Sequence, residues 1–336
     1  MVLRVAVSGI PRGFQFPRAD GNWMTAEHRE KIQAISSDIE LVEIPADRVP
    51  DNPDLEVVLA EGGNRVHYHG ELDWEDYQKF FIGNLKWVQL CSTGFSDNIT
   101  PEVLDGRVTL TNAPGLHTNP IAESVLAAML DHAKLLKQRR IDQKKHEWNQ
   151  LKCDELYNRT VLIIGLGNIG GKVAKLCKAF NMNVIGTKRR QEPVVNVDTV
   201  FPTSDLKKHL PSADYVVISA PLTPETENMI GFEELKAMKP SAYLINIGRG
   251  KIVDEPSLIK ALEEKWISGA YLDCLVVEPL PVDHVFWDME NVFVVPHDSH
   301  SSPFIGDRIV DIFCNNLRRY VAGEKLENIC DPKKGY

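Results

Sequence analysis

The 336-residue sequence has no run of about 18 consecutive apolar residues, so no helix able to cross a bilayer is expected. It also has no Cys-x-x-Cys pair. The six cysteines stand far apart at 91, 153, 177, 274, 314 and 330, several of them inside apolar runs. That pattern excludes a zinc-finger or disulfide framework and leaves buried, reduced thiols and no metal site as the expectation. Positive charge is in deficit: 38 Lys and Arg stand against 47 Asp and Glu, a formal net charge of -9. Such a chain is a poor match for nucleic acid or an anionic membrane, whose phosphates need a basic surface. There is no repeat and no low-complexity tract, and Met1–Ile10 reads as a first strand instead of a signal peptide, so a cytoplasmic location is expected. What remains, at 43% hydrophobic and 25% charged residues, is an ordinary globular composition with length for about two domains.

The most informative stretch is Thr160–Gly171. Val161–Ile164 is a short continuous apolar run of the kind buried on both faces of a parallel sheet, and it leads straight into Gly165-Leu166-Gly167-Asn168-Ile169-Gly170. In a strand-to-helix turn the first glycine permits the bend, the second lets backbone approach a pyrophosphate, and the third lets the helix pack on the strand. A helix is indicated by Ile169, Val173, Leu176, Cys177 and Phe180, and its N-terminus would turn free N–H groups and the positive dipole end toward the phosphates. Glycines alone meet this pattern in many loops. The buried strand before them and the amphipathic helix after them are what point to a dinucleotide site.

Around that centre the chain alternates strands and helices. Leu3–Val7, Ile39–Ile44, Val57–Ala60, Lys86–Leu90 and Val108–Leu110 read as strands, with helices near Ala26–Ile35 and Trp74–Gly83 and a long loop of unread purpose over residues 11–23. Asn119 and Pro120 are expected to start a helix whose apolar surface is wide enough for two contacts, one of them a homodimer interface. His132 on it reads as a structural histidine. After the glycine turn, strands are expected at Asn183–Thr187, Tyr215–Ser219, Tyr243–Ile247, Ala270–Leu272 and Val292–Val295, with helices at Leu206–Leu210, Phe232–Met238 and Ser257–Trp266, a doubly wound set of six strands. The amphipathic run Ile305–Val321 has no strand to follow and should return to the first domain. The expected architecture is α/β with two doubly wound parallel sheets: a discontinuous, flavodoxin-like substrate domain at 1–113 plus 300–336, and a Rossmann cofactor domain at 114–299. A cleft and hinge would lie between them.

One further absence concerns the cofactor. NAD sites place an acid about 20 residues past the glycines, at the end of the second strand, and Gly186-Thr187-Lys188-Arg189-Arg190 holds none. Lys188-Arg189-Arg190 stand there instead. A charge-assisted contact to a 2′-phosphate contributes about 1.5–3 kcal/mol, so NADP(H) is the preferred cofactor, with NAD(H) possible. The other reading is a solvated basic loop, which leaves the missing acid unexplained.

Three later segments place charged groups just after strands: Asn246-Ile247-Gly248-Arg249-Gly250, Leu272-Asp273-Cys274 through Glu278-Pro279, and Val295-Pro296-His297. With the glycine turn, Asn112-Ala113-Pro114-Gly115, the Pro221–Thr226 loop, Val253-Asp254-Glu255 and the closing Lys334-Gly335-Tyr336, the chain resembles the D-isomer-specific 2-hydroxyacid dehydrogenase family over nearly its whole length. The resemblance implies reduction of a small 2-keto acid, of the glyoxylate or hydroxypyruvate type, to the D-2-hydroxy acid. Arg249 would fix the substrate carboxylate and polarise the keto oxygen, and His297 would donate the proton. Glu278 would hold the imidazole in one tautomer and favour its protonated form. The same resemblance puts Gly165, Gly167, Asn168, Ile169, Gly170, Lys188, Arg189, Arg190, Ala220, Pro221, Thr226, Ile247, Gly248 and Asp273 along the cofactor, Asp273 at the nicotinamide amide. By the same likeness Thr93, Gly94 and Phe95 would offer backbone donors to the substrate carboxylate; Gly63, in the Glu61-Gly62-Gly63 loop after the Val57–Ala60 strand, could do the same for a small anion, although plain turn chemistry explains these glycines about as well.

The sequence departs from the family pattern after the histidine. Asp298-Ser299-His300-Ser301-Ser302 is polar where small apolar residues or glycine are usual, and His300 becomes a second candidate acid. His297 is favoured because it follows the strand and Pro296. An NAD-dependent D-lactate or phosphoglycerate type of dehydrogenase is disfavoured by Lys188. A dinucleotide-sensing corepressor is disfavoured because no extended tails are seen.

Overall fold

The computed structural model describes residues 2–8, 24–44, 54–60, 78–81, 83–95 and 98–332. The loop at 11–23, Gly63, most of the helix expected over Trp74–Gly83, and Lys334–Tyr336 lie outside the described residues. The chain divides into two compact units, residues 1–117 with 301–336 and residues 118–300.

In the first unit β1 (Leu3–Ser8), α1 (Ala26–Gln33), β2 (Ile39–Glu43), β3 (Val57–Ala60), β4 (Trp87–Leu90), α2 (Pro101–Leu104) and β5 (Thr109–Thr111) follow in order. The strands pair in parallel as β2-β1-β3-β4-β5, the flavodoxin-like order. Because successive side chains on a strand point to opposite faces, the apolar runs build two cores at once. Val5, Val7, Val57, Leu59 and Trp87 face one, while Ala6, Val58, Ala60, Val88 and Leu90 face the other.

The second unit begins with α3 (Thr118–Lys134) and α4 (Leu136–Lys145), then β6 (Thr160–Ile164), α5 (Asn168–Ala179), β7 (Asn183–Thr187) and β8 (Thr199–Phe201). It continues with α6 (Leu206–His209), β9 (Tyr215–Ile218), α7 (Phe232–Ala237), β10 (Tyr243–Asn246), α8 (Glu255–Glu263), β11 (Gly269–Leu272) and β12 (Val292–Val294). The sheet runs β12-β11-β10-β9-β6-β7-β8, so its order reverses at β6, the place where open α/β sheets bind ligands. Leu162, Ile164, Val216, Ile218 and Leu244 form a core with Leu235, Leu258 and Leu262 on one face. Val161, Ile163, Val217 and Ile245 meet Val125, Met129, Val173 and Cys177 on the other.

Three local expectations need correcting. The sheet has seven strands instead of six, because β8 is a three-residue edge strand too short to show a period in sequence. The helix after His117 starts at Thr118, which puts Pro120 inside the first turn, where its missing N–H is still free of cost. It also stops before Leu135, whose φ of 52° and ψ of 41° break the chain into a second helix, α4. That helix escaped the sequence reading because it has no apolar stripe; its one buried side chain is Asp142, held by Gln138 Nε2 at 2.6 Å. His132 bonds Ser268 Oγ through Nε2 at 3.0 Å and stacks on Tyr243, while its Nδ1 has no partner among the described residues.

The chain returns to the first unit as α9 (Ile305–Val321), whose Ile305, Ile309, Val310, Phe313, Cys314 and Leu317 complete the core that β1, β3 and β4 leave open. Trp87 stacks on Phe313 and Tyr320 at centroid distances of 5.3 and 5.5 Å and donates its Nε1–H to Thr111 Oγ1 at 2.8 Å. Beside it Asn316 Nδ2 donates to Gln89 Oε1 at 3.2 Å and to Glu327 O at 3.0 Å, so these buried amides are not left unsatisfied. Phe313→Ala should remove a fully buried ring from this seam and cost about 3–5 kcal/mol. The check is chemical denaturation followed by tryptophan emission, in which the first unit unfolds at lower denaturant.

Candidate active site

The glycine turn is held by contacts that tolerate no side chain. Gly165 has φ +98°, and a Cβ there would lie 2.8 Å from Ala220 Cα. At Gly170 a Cβ would come within 2.1 Å of Gly165 O, so α5 can reach β6 only because position 170 is glycine. Gly167 differs: an added Cβ would meet nothing within 4 Å. It caps α5 with no side-chain hydrogen bond, so the N–H groups at the start of the helix keep their capacity to donate. A bend anchored at both ends with an open middle and free donors fits a pyrophosphate.

The end of β7 is tied to this bend. Thr187 Oγ1 accepts the Gly165 N–H at 3.2 Å and Thr187 O accepts the Leu166 N–H at 3.1 Å, which places the next residue, Lys188, beside the glycines. Arg189 and Arg190 are exposed. In the 221–226 loop Thr226 Oγ1 donates to Pro221 O at 2.7 Å and closes the turn. The hydroxyl of Thr223 and the more distant charge of Arg189 hold the Glu225 carboxyl below its ordinary value, so the loop and the basic run share one neighbourhood. No acid takes the place of the missing one directly after β7.

Parallel strands bring their carboxyl ends to one edge, and the remaining groups of this unit follow β10, β11 and β12 there. Ile247 is buried, and Gly248 approaches Ala220 so closely that a Cβ would lie 2.8 Å from its carbonyl oxygen. Arg249 donates from Nη1 to Gly248 O at 2.7 Å, and its own carbonyl accepts from Asn246 Nδ2 at 3.1 Å, which fixes the backbone that carries the guanidinium. Asp273 is 3% exposed; its Oδ1 accepts the Ser299 N–H at 3.1 Å. Burial pushes its carboxyl above the usual range, against the pull of the Ser299 hydrogen bonds.

Glu278 accepts the Leu275 N–H on Oε1 at 2.8 Å and contacts His297 Nδ1 through Oε2 at 2.7 Å. With one oxygen fixed by backbone, the carboxylate can hold the imidazole in a single orientation. Burial raises the Glu278 carboxyl, but the His297 and Leu275 hydrogen bonds and the charge of Arg249 outweigh it and leave it below its ordinary value of 4.5. The ionised Glu278 carboxylate therefore adds stability above the ordinary glutamate range and loses it as pH falls through the lowered value. His297 has φ +53°, in the left-handed region that a histidine seldom adopts, and its N–H bonds Val295 O at 2.9 Å. Its side chain is 36% exposed. The His300 ring lies 6.4 Å away, edge-on. Both Glu278 oxygens are engaged by His297 and Leu275, so the imidazole that Glu278 orients is that of His297.

Arg249, Asp273, Glu278 and His297 thus share one strand-end edge with the glycine turn. Thr93, Gly94 and Phe95 belong to the first unit, in the loop after β4. There Asn112 Nδ2 donates to Thr93 O at 2.6 Å and Ser92 Oγ to Gly94 O at 2.8 Å, while the Phe95 ring is buried in the core. Thr93 is exposed and its hydroxyl donates to Ala113 O at 3.2 Å. Two contributors went unnoticed in the sequence. Ser299, which fixes Asp273 and bonds Tyr271 OH at 2.7 Å, stood only as an odd polar residue, and Cys274 touches His297 from a position that looked like core.

Residues 126–299 match the family described as D-isomer specific 2-hydroxyacid dehydrogenase, NAD binding domain. The chain is 34% identical to the glyoxylate reductase of Thermofilum pendens over 252 residues, 72% of this chain and 73% of that protein. It is 32% identical to glyoxylate/hydroxypyruvate reductase B of Yersinia pestis over 292 residues, 84% of this chain and 89% of that one. Among solved structures, a D-isomer specific 2-hydroxyacid dehydrogenase from Xanthobacter autotrophicus in complex with NADPH and MES superposes with a TM-score of 0.75 at 26% identity, covering 100% of this chain and 99% of that one. A family protein from Aeromonas salmonicida gives 0.79 at 25% identity, covering 98% and 99%. The glycine turn and this agreement together assign a nicotinamide dinucleotide to the second unit. The chain belongs to the D-isomer specific 2-hydroxyacid dehydrogenase family and is an oxidoreductase.

Proposed function

We propose that the protein reduces a small 2-keto acid, of the glyoxylate or hydroxypyruvate type, to the D-2-hydroxy acid with a preference for NADPH. The observation that carries this reading is the Glu278–His297 pair at 2.7 Å beside Arg249, at the strand-end edge that also holds the glycine turn. The names borne by the Thermofilum and Yersinia relatives support the substrate class.

When bound, the reduced nicotinamide supplies the hydride. The chain's own residues do the rest. Gly165, Gly167, Asn168, Ile169 and Gly170 cradle the pyrophosphate, Ala220, Pro221, Thr226, Ile247 and Gly248 line the cofactor, and Asp273 meets the nicotinamide amide. Arg249 offers a planar fork that suits a carboxylate and can also polarise a keto oxygen. His297 gives a proton from Nε2 as negative charge develops on that oxygen, and Glu278 keeps Nδ1 protonated so that Nε2 faces the reaction. Glu278 stays ionised because its carboxyl is held below the ordinary range. In the oxidative direction the neutral imidazole takes the proton back.

The preference for NADPH rests on Lys188, Arg189 and Arg190, which follow the strand whose last residue holds the glycine turn. A second copy of the chain is expected against α3. Light scattering giving twice the mass of the 37.8 kDa chain supports that assembly, and a monomer mass rejects it.

His297→Asn should lower kcat by about 10²–10⁴-fold while the Kd for NADPH changes by less than about twofold. Stopped-flow turnover on a keto-acid panel and a fluorescence titration of the cofactor check the two halves, and unchanged turnover would reject His297 as the acid. Replacing Lys188 and Arg190 with alanine together should raise the KM for NADPH about ten- to a hundredfold and leave that for NADH within about twofold. Equal effects on both cofactors would remove the 2′-phosphate assignment.

A further inference from the structure

Cys274 has no part in the chemistry above, yet its sulfur sits against the reacting nitrogen. Cys274 Sγ lies 3.7 Å from His297 Nε2 and 3.3 Å from Gly248 O. One donor atom from each of Cys274, Glu278 and His297 falls within 4.8 Å of the others. Since Glu278 engages Nδ1, Nε2 is the ring nitrogen left to face the thiol.

The spacing has a chemical meaning. A tetrahedral zinc ion with bonds of about 2.3 Å to sulfur and about 2.0–2.1 Å to imidazole nitrogen sets those two atoms about 3.6 Å apart. The observed separation of 3.7 Å meets this with almost no movement. The outer contact agrees as well: a metal-bound histidine commonly passes its other N–H to a carboxylate, and Glu278, itself anchored by the Leu275 N–H, stands in that place. An alkyl side chain at position 274 would offer no atom to a metal.

We propose that Cys274 Sγ and His297 Nε2 chelate a thiophilic divalent cation of the zinc type, which occupies the nitrogen that donates the proton and so inhibits the enzyme. On binding, the S–H bond, and the Nε2–H bond when the ring carries that proton, give way to bonds to the metal and the protons leave to solvent, with no change of oxidation state in metal or sulfur. Burial, with the charge of Asp273 added to it, raises the thiol, and Arg249 pulls it the other way. The free thiolate is therefore scarce, and the cation must displace the proton. The carboxylates of Asp273 and Glu278 favour a cation here and the Arg249 guanidinium opposes it. Binding stands on the geometry alone, whereas the inhibition rests on the proposed role of His297.

Two measurements on the full-length protein, in a buffer that does not bind metals and at fixed pH, test the site. Titration with Co²⁺ should give a sulfur-to-cobalt charge-transfer band in the near ultraviolet that is lost in Cys274→Ser and kept in a Cys153→Ser control, Cys153 being the exposed thiol. Zn²⁺ should inhibit NADPH oxidation reversibly, with EDTA restoring the rate. Half-inhibition in Cys274→Ser should need at least about tenfold more zinc, each protein being normalised to its own zinc-free rate. Cys274→Ala serves the same purpose if the serine variant folds poorly. A cobalt band that persists without Cys274, or equal zinc sensitivity with and without it, would overturn the proposal. If no keto acid is reduced at all, the functional reading fails while the cobalt spectrum still decides this one.

Discussion

The second unit depends on how closely α5 can approach β6. A Cβ at position 170 would lie 2.1 Å from Gly165 O, a distance no packing adjustment of side chains can relieve because the obstacle is backbone. That approach sets the axis of α5, and with it the direction of the N–H groups at the turn. Thr187 and Ser219 then fasten the same turn from the neighbouring strands, Thr187 Oγ1 accepting from Gly165 N and Ser219 Oγ donating to Gly165 O at 2.6 Å. The cofactor cradle and the sheet are therefore one mechanical object, and the loops after β7, β9 and β10 are placed relative to it by strand pairing.

The same logic places the titratable groups. A parallel sheet puts every carboxyl end on one edge, so Arg249, Glu278 and His297, about 50 residues apart at the extremes, need only follow their own strands to become neighbours. What the sheet does not supply is orientation. That comes from short-range bonds: Asn246 to the Arg249 carbonyl, Leu275 N–H to Glu278, and the positive φ of His297, which turns the backbone just as it leaves β12.

Much of this is legible in the amino-acid sequence. Continuous apolar runs such as Val161–Ile164 and Tyr215–Ile218 announce strands covered on both faces, and the spacing of Ile309, Phe313 and Leu317 announces a helix that must lie on a sheet. The failures have physical causes. Helix α4 is polar on nearly all sides, so no period marks it, and β8 is three residues at an edge, where a strand pairs with one neighbour only. At the site, residue types and their order after each strand could be read, but not the Leu275 amide, which looks like any other amide in sequence. Nor could the contact of Cys274 with His297 be read, since a cysteine at the end of an apolar strand is indistinguishable from core until its neighbours are known.

The position of α9 in the chain carries a consequence for synthesis on the ribosome. The face of the first sheet formed by Val5, Leu59 and Trp87 is closed by residues that emerge only after the whole second unit, some 180 residues later. At translation speeds of about 5–20 residues per second, that interval is about 10–40 s. Until then that apolar side is covered only in part, by Met24 and Ile32 at α1, while the second unit is being made. The part of the protein made first is thus the part finished last.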